Sequence, residues 1–393
     1  MNPAPAPASS KPYVLDPVNF LFLVGTPLLA LVGAVWYVRV EGWHWQDLVL
    51  CAVLYCATGI SITAGYHRYF SHRAYECSKA VQLFYLLFGA AAVENSAQYW
   101  CSDHRNHHRF VDGEKDPYDI MKGIFWAHMG WIFYKDRRDE HGFDNVPDLL
   151  ADPLVRWQHR YYLPLTFAVG GFLPLFIGMA YGHPWGGLLW GGVVRLVACH
   201  HGTFLINSAA HALGRQPYSD GDTSRDNGWL ALLTFGEGYH NFHHSFASDY
   251  RNGVRWWQWD PSKWLIASLA ALGQAWRLNR ISERAIQSAR MSMDEKRARA
   301  HLAHHPVEGR DRMLGKLAAW RARHATALGR VGALTARYRE WLAARTAPKA
   351  AVAPTASGWE RRLERATLAA GLARSRYEAA LRACFAAPRL TTA

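Results

Sequence analysis

The chain has 393 residues, half of them hydrophobic and 13% aromatic. Its formal net charge is +13, but from Arg277 onward there are 24 Lys/Arg against 9 Asp/Glu, so the first 276 residues are near neutral. That division reads as an apolar membrane body with a cationic appendage. The six cysteines form no CxxC pair and no even spacing, which argues against a disulfide framework and a thiolate metal site.

Residues 1–18 are rich in Pro, Ala and Ser. They lack the basic start and cleavage pattern of a signal peptide and read as a flexible segment. Residues 19–38 carry no charge and are long enough to cross a bilayer. A second run, 46–66, follows after a short connection, so the two form a hairpin. Residues 81–93 are apolar but short, which suits a re-entrant or interfacial helix. Runs 161–181 and 186–210 make a second hairpin, with Arg195, His200 and His201 inside the last run. The two short connections contain only Arg39, whereas the long middle loop and the sequence after His211 hold many Lys/Arg. This asymmetry places both termini and the middle loop in the cytoplasm. The expected fold is an all-α integral membrane protein. It has four transmembrane helices in two hairpins and a cytoplasmic helical cap carrying a two-metal histidine site. The membrane domain spans 19–280. The extension 281–393 reads as helices with a linker at 346–358.

The histidines carry the chemistry. Three boxes stand out: His67-Arg-Tyr-Phe-Ser-His72, His104-Arg-Asn-His107-His108 and His240-Asn-Phe-His243-His244. A fourth piece is Asn207-Ser-Ala-Ala-His211. Residues i, i+3 and i+4 share a helix face, so His104, His107 and His108 are expected to converge on one point. The same holds for His240, His243 and His244. His67 and His72, at i and i+5, straddle a face and are expected to serve two neighbouring ions. Nine imidazoles exceed what one ion needs; two ions with four or five nitrogen ligands each use them all. Imidazole suits iron, and an open position for O2 would fit oxidation chemistry. Ligand type alone leaves zinc and copper open. Asp103, Asp112 and Glu237 are placed to hydrogen-bond the outer ring nitrogens. His128, His200 and His201 read as packed groups around the site.

Taken together, the sequence resembles the membrane stearoyl-CoA (Δ9) desaturase family over about residues 15–280. The resemblance rests on Gly65-Tyr-His-Arg-Tyr-Phe-Ser-His72, Asp103-His-Arg-Asn-His-His108, Gly123-Ile-Phe-Trp-Ala-His-Met-Gly-Trp131, Asn207-Ser-Ala-Ala-His211 and Gly236-Glu-Gly-Tyr-His-Asn-Phe-His-His244. It implies two iron ions (Fe2+) held by His67, His72, His104, His107, His108, His211, His240, His243 and His244, with Asn207 acting through water. It implies O2 as co-substrate and a cis double bond, at Δ9, in a long acyl chain. Ser102 and Lys135-Asp136 stand where animal members carry basic residues associated with the CoA phosphates. The carrier is therefore left open between acyl-CoA, acyl-carrier-protein and a phospholipid. Tyr55 and Cys51, a few turns before His67, are expected at the end of a substrate tunnel, and Lys135 near the head group.

The nearest alternative is a lipid or alkane hydroxylase, which usually has HxxxHH in the second box rather than HxxHH. His183-Pro-Trp-Gly-Gly187 is similar to a haem motif, but an inserted Trp breaks it. The two electrons are expected from a separate carrier, a ferredoxin or a flavin reductase. The basic extension could attract anionic membrane lipids or an acidic carrier; nothing beyond charge points to nucleic acid.

Overall fold

The structure, a computed structural model, describes residues 13–136, 142–305, 307–345 and 356–386. Residues 1–12 of the N-terminal segment and 346–355 of the expected linker lie outside the described residues. The longer helices are numbered in chain order below.

Asp16 starts helix α1 (Pro17–Val40). Its carboxylate accepts hydrogen bonds from the Val18 and Asn19 amides at 3.0 and 3.2 Å, and Pro17 lends its fixed φ to the first turn. Leu21, Leu28, Leu31, Val32 and Trp36 of α1 are exposed. A helix so apolar on its outside belongs in hydrocarbon. Helix α2 (Trp45–Ser71), α5 (Tyr162–Ala180) and α6 (Pro184–Ala212) are likewise long and apolar enough to cross a membrane. Between the two hairpins lie α3 (Lys79–Ala91), too short to span, and α4 (Ala97–Phe110). Ser78 and Ser96 cap these two helices by accepting from the Val81 and Tyr99 amides. The fold is thus the all-α membrane architecture with two hairpins. The only strands among the described residues are short: β1 (Tyr13–Leu15), β2 (Glu76–Cys77), β3 (Tyr134–Asp136) and β4 (Ala275–Trp276), paired antiparallel as β1 with β3 and β2 with β4.

Polar anchors hold the spans together. At the connection end, Tyr37 and Tyr181 both donate to the Asp47 carboxylate, at 3.0 and 2.6 Å. One buried acid so joins α1, α2 and α5. Arg195, 1% exposed inside α6, donates to the carbonyls of Gly191, Ala91 and Gly170 at 2.6–3.3 Å. A charge inside a span survives because it is wrapped in backbone oxygens. His183 stacks on His44, ring centroids 3.6 Å apart, at the tips of the two hairpins.

Helix α2 runs five residues past the end expected from its apolar run. Its final stretch, Ser61–Ser71, winds in wide π-type turns. Arg68, which a membrane would reject, is 1% exposed and buried inside the protein against Glu237 and Asp260, at 2.8 and 3.0 Å. The cap is completed by α7 (His240–Ser245) and α8 (Pro261–Ala271), whose first turn is capped by Asp260 accepting from the Lys263 amide at 2.9 Å.

The described residues before 281, apart from 217–220, form one compact unit; 217–220 and the described residues from 281 onward form a second. The second unit contains α9 (Glu283–His304), α10 (Arg310–Arg345) and α11 (Ala356–Ala386). These helices pack around Met291, Leu302, Leu314, Leu317 and Tyr377. Glu295 is ion-paired with Arg299 and Arg321 at 2.8 and 2.7 Å.

Close packing of α2 on α3 relies on Gly65: a Cβ there would lie 2.7 Å from the Cβ of Tyr85. Tyr85 is fully buried and donates or accepts at the Tyr75 hydroxyl, so it has nowhere to retreat. Gly65→Val is expected to destabilise the protein by about 1–3 kcal/mol through overpacking. A lowered melting temperature in detergent checks this; an unchanged one would show that the α2–α3 contact is loose.

Candidate metal centre

The cytoplasm-facing ends expected of α2, α4 and α6 meet the short helix α7, and each carries one of the histidine motifs. Nine histidines gather there in two groups. The first is His67, His72, His104, His108 and His243; the second is His107, His211, His240 and His244. Within each group one ligand atom from every residue lies within 4.8 Å of all the others. The groups abut, since the rings of His108 and His244 stack at 4.3 Å.

This grouping corrects two expectations. His67 and His72 do not fall in different groups; both belong to the first. The wide turns explain it: the His72 amide donates to the His67 carbonyl, five residues back, at 3.1 Å. Five residues therefore come nearly once round the helix, and the two rings fall on one side. Nor does either HxxHH box converge on one point. His104 and His108 point into the first group and His107 into the second; His240 and His244 point into the second and His243 into the first. At 3.6 residues per turn, positions i+3 and i+4 stand roughly 100° apart. Each box thus straddles both groups.

The inward atoms are the Nε2 nitrogens. In the first group the pairs His67–His243, His72–His104 and His108–His243 are 2.9, 2.8 and 2.9 Å apart. In the second, His211–His240, His240–His244 and His107–His244 are 3.1, 3.1 and 3.3 Å apart. Two nitrogens bound at a right angle to one ion, about 2.1 Å away, would be roughly 3.0 Å apart, and at the tetrahedral angle roughly 3.4 Å. The spacings suit an ion with more than four ligands better than a closed tetrahedral zinc.

Three of the outward nitrogens are held by acids, one of them through a threonine. His67 Nδ1 lies 2.9 Å from Glu237 Oε2, and His107 Nδ1 2.9 Å from Asp116 Oδ1. His211 Nδ1 donates to Thr223 Oγ1 at 2.8 Å, which in turn donates to Asp112 at 2.6 Å. Each bond puts the proton on Nδ1 and leaves the Nε2 lone pair facing inward. Burial first, then the repulsion of neighbouring rings, holds His72, His104, His108, His240, His243 and His244 well below the ordinary imidazole value. These rings are neutral at pH 7 and ready to donate a lone pair. Burial would raise the Glu237 carboxyl, but Arg68, and then His67, hold it below the usual carboxylate range.

The remaining sequence-predicted residues fall in distinct places. Asn207 ends a helical segment interrupted at Ser208 and lines a cavity of about 840 Å³. That cavity runs along α1, α5 and α6 and reaches His67, His104, Asp103 and Glu237. Its lining includes neither Cys51 nor Tyr55. Tyr55 lines a separate cavity of about 10 Å³ with Gly59, Cys199 and Phe235. Thr63, Thr203 and Ile206 line both cavities and stand between them. Lys135 lies in β3 opposite Val14, and its side chain lies outside the described residues. Of the three acids expected around the rings, Glu237 bonds directly, Asp112 acts through Thr223, and Asp103 lines the cavity. His128, His201 and Ser208 form a chain, with contacts of 3.1 and 2.9 Å. His200 bonds the Ala92 carbonyl at 2.8 Å.

Sequence reasoning did not single out Asp116, Thr223, Trp100 or Glu94. Trp100 stacks on His104 at 4.9 Å, and its indole N–H donates to Glu94 Oε2 at 3.2 Å. Burial pushes the Glu94 carboxyl up to about 8, so it is largely protonated at pH 7. Trp100 precedes His104 by four residues, a spacing that could have shown it beneath the ring. Asp116 and Thr223 lie in loops and carry no periodic signal.

Four membrane-crossing helices and two clusters of inward-facing histidines define an integral membrane histidine-box protein. The sequence profile of the fatty acid desaturase family matches residues 43–279. The chain belongs to the fatty acid desaturase family. It is 40% identical to the "Probable acyl-CoA desaturase" of Schizosaccharomyces pombe over 72% of this chain and 58% of that one. It is 39% identical to "Acyl-CoA desaturase 1" of Saccharomyces cerevisiae over 72% and 55%. It is 34% identical to the "sn-1 stearoyl-lipid 9-desaturase" of Anabaena variabilis over 68% and 94%. The chain thus spans somewhat over half the length of the two yeast relatives and nearly all of the cyanobacterial one.

Asp116→Asn keeps the side chain's shape but removes the charge that holds His107. Its expected effect is a loss of about 10- to 100-fold in metal affinity or activity. Metal content by mass spectrometry after dialysis against a chelator checks this; wild-type retention would mean that Asp116 does not orient the ring.

Proposed function

We propose that this protein is an O2-dependent fatty-acyl desaturase that places a cis double bond, at Δ9, in a long saturated chain. The carrying observation is the nine-histidine centre at the end of an apolar cavity, in a chain of the desaturase family. The balanced change is removal of one hydrogen from each of two adjacent methylenes. With O2, two electrons and two protons, this yields an alkene and two waters. The electrons would arrive from a separate carrier, a ferredoxin or a flavin reductase.

In this reading His67, His72, His104, His108 and His243 hold one iron. His107, His211, His240 and His244 hold the other, with Asn207 through water. When bound, the irons supply O2 activation and the power to oxidise an unactivated C–H bond. The all-nitrogen donor set suits iron, and the close nitrogen spacings leave room for more than four ligands on each ion.

The chain's own residues do the rest. Glu237, Asp116 and the Thr223–Asp112 relay hold ring tautomers and angles fixed. Arg105 forks onto Asp148 at 2.7 and 2.8 Å and also reaches the Phe70 carbonyl at 2.8 Å, pinning α4 to the end of α2. The apolar cavity aligns a methylene chain and excludes water from the oxidising centre. The excess of Lys/Arg in the middle loop and after α6 supports placing the centre and both termini on the cytoplasmic face of the cytoplasmic membrane. The names of these relatives cover both CoA-linked and lipid-linked acyl chains.

Fatty-acid profiling by gas chromatography–mass spectrometry tests the reading. Cells expressing the chain are expected to gain a monoene that His107→Ala abolishes at matched protein level. A hydroxylated lipid in its place would transfer the assignment to a hydroxylase. A second expectation concerns Tyr55. Tyr55→Ala should enlarge the small cavity beside Thr63 and lengthen the preferred chain; an unchanged chain-length profile would remove Tyr55 from the substrate path.

A further inference from the structure

The large cavity is open on the side facing the bilayer. Helix α1 packs on α6, with Gly33 beside Leu189, but scarcely touches α5. The gap between α1 and α5 is floored by α6 at Leu188, Gly192 and Val193. Six lining residues are exposed; Asn95 and Tyr134 lie outside the spans, and the other four lie on α1 and α5, where Val18, Leu29, Leu163 and Phe167 are 73, 57, 62 and 63% exposed. A side chain that does both marks an opening. Since these helices cross the membrane, what lies outside the opening is lipid tail.

The opposite side is filled. Between α2 and α6, the Phe235 ring packs on Tyr55 at 5.1 Å and lies so close to Gly59 that a Cβ would collide with it. A cavity of about 10 Å³ lies there. The open cleft, in contrast, follows α6 from Leu188 to Asn207, roughly 28 Å at 1.5 Å per residue. That is close to the thickness of the hydrocarbon layer, about 30 Å.

We propose that the acyl chain enters sideways from the bilayer, through the cleft between α1 and α5, while still esterified in a membrane phospholipid. This rests on the desaturase reading and names the source of its substrate. A tail moving from hydrocarbon into an apolar cleft never meets water, and its head group stays at the interface. The cleft leads inward to Ile62 and Leu196, which are buried, and to the half-buried Trp100, stacked on the His104 ring.

Gly171 lines the cleft, and a Cβ there meets nothing within 4 Å. Gly171→Trp therefore obstructs the path without a backbone clash; Gly171→Leu serves if the larger variant fails to fold. The full-length protein in nanodiscs is irradiated with either a phosphatidylcholine carrying a diazirine in its acyl chain or an acyl-CoA with the same chain. Labelled residues are mapped by mass spectrometry, with metal content measured in parallel. The expected result is phospholipid labelling of Ile62, Trp100 and Leu196, lost in Gly171→Trp with metal content unchanged. Labelling of those residues by acyl-CoA alone, or phospholipid labelling indifferent to Gly171→Trp, would overturn the proposal. The labelling needs no turnover, so a failure of desaturation itself would show separately, in the fatty-acid profile.

Discussion

Nitrogen lone pairs repel when they face one another across 2.8 to 3.3 Å, and the buried rings here have little water to relieve that repulsion. A cation placed among them turns the arrangement from costly to favourable. Much of the cap serves this one constraint. The helices that bring the rings together are short or wide-turned where they carry histidine. The acids behind the rings fix which nitrogen is protonated. A metal bound there would be coupled to the stability of the folded state and would join α2, α4, α6 and α7.

The second constraint is the burial of charge behind the first group. Arg68, Glu237 and Asp260 are all at most 1% exposed. Arg68 reaches both acids, Glu237 also accepts from Asn252, and Asp260 accepts from the Asn252 and Gly253 amides. A buried ion pair brings little net stability compared with apolar packing, and removing one partner is strongly destabilising. Its value here is positional. Glu237 holds His67 on one side and Arg68 on the other, so adjacent residues of α2 are oriented by one carboxylate. Gly236, with φ +98, passes so near Asp260 that a side chain would strike its carboxylate. That close approach lets the loop present Glu237 at all.

The four spans were legible because uncharged runs near twenty residues have few other uses in a chain. The histidine boxes were legible because HxxHH is a rare pattern with a helical meaning. How the boxes divide was not. Treating i, i+3 and i+4 as one face is adequate for packing but too coarse for ligand geometry, where the angle between positions i+3 and i+4 decides which group each ring joins. The wide turns at Ser61–Ser71 were also hidden, although the five-residue interval between His67 and His72 carries their mark. Asp116 is held within its own irregular loop by the Asp112 and Tyr118 amides, and Thr223 by Asp112, more than a hundred residues away. No local pattern announces such residues. The Tyr55 expectation followed helix α2 alone, whereas the large cavity is walled by α1, α5 and α6.

Helix α1 is held at both ends. Near its start, Asp16 donates its amide to the Phe133 carbonyl at 2.7 Å, and β1 pairs with β3. Near its finish, Tyr37 is fastened to Asp47. Between these points the helix has scant contact with α5 and contains Gly25, Pro27 and Gly33. Mechanically it is a beam clamped at both supports, with its softest section at mid-span. Such a beam does not swing like a door; it bows. Any widening of the gap beside it is then greatest at the middle of the membrane and vanishes at the two surfaces, so the aperture can flex while the histidine-bearing cap stays still.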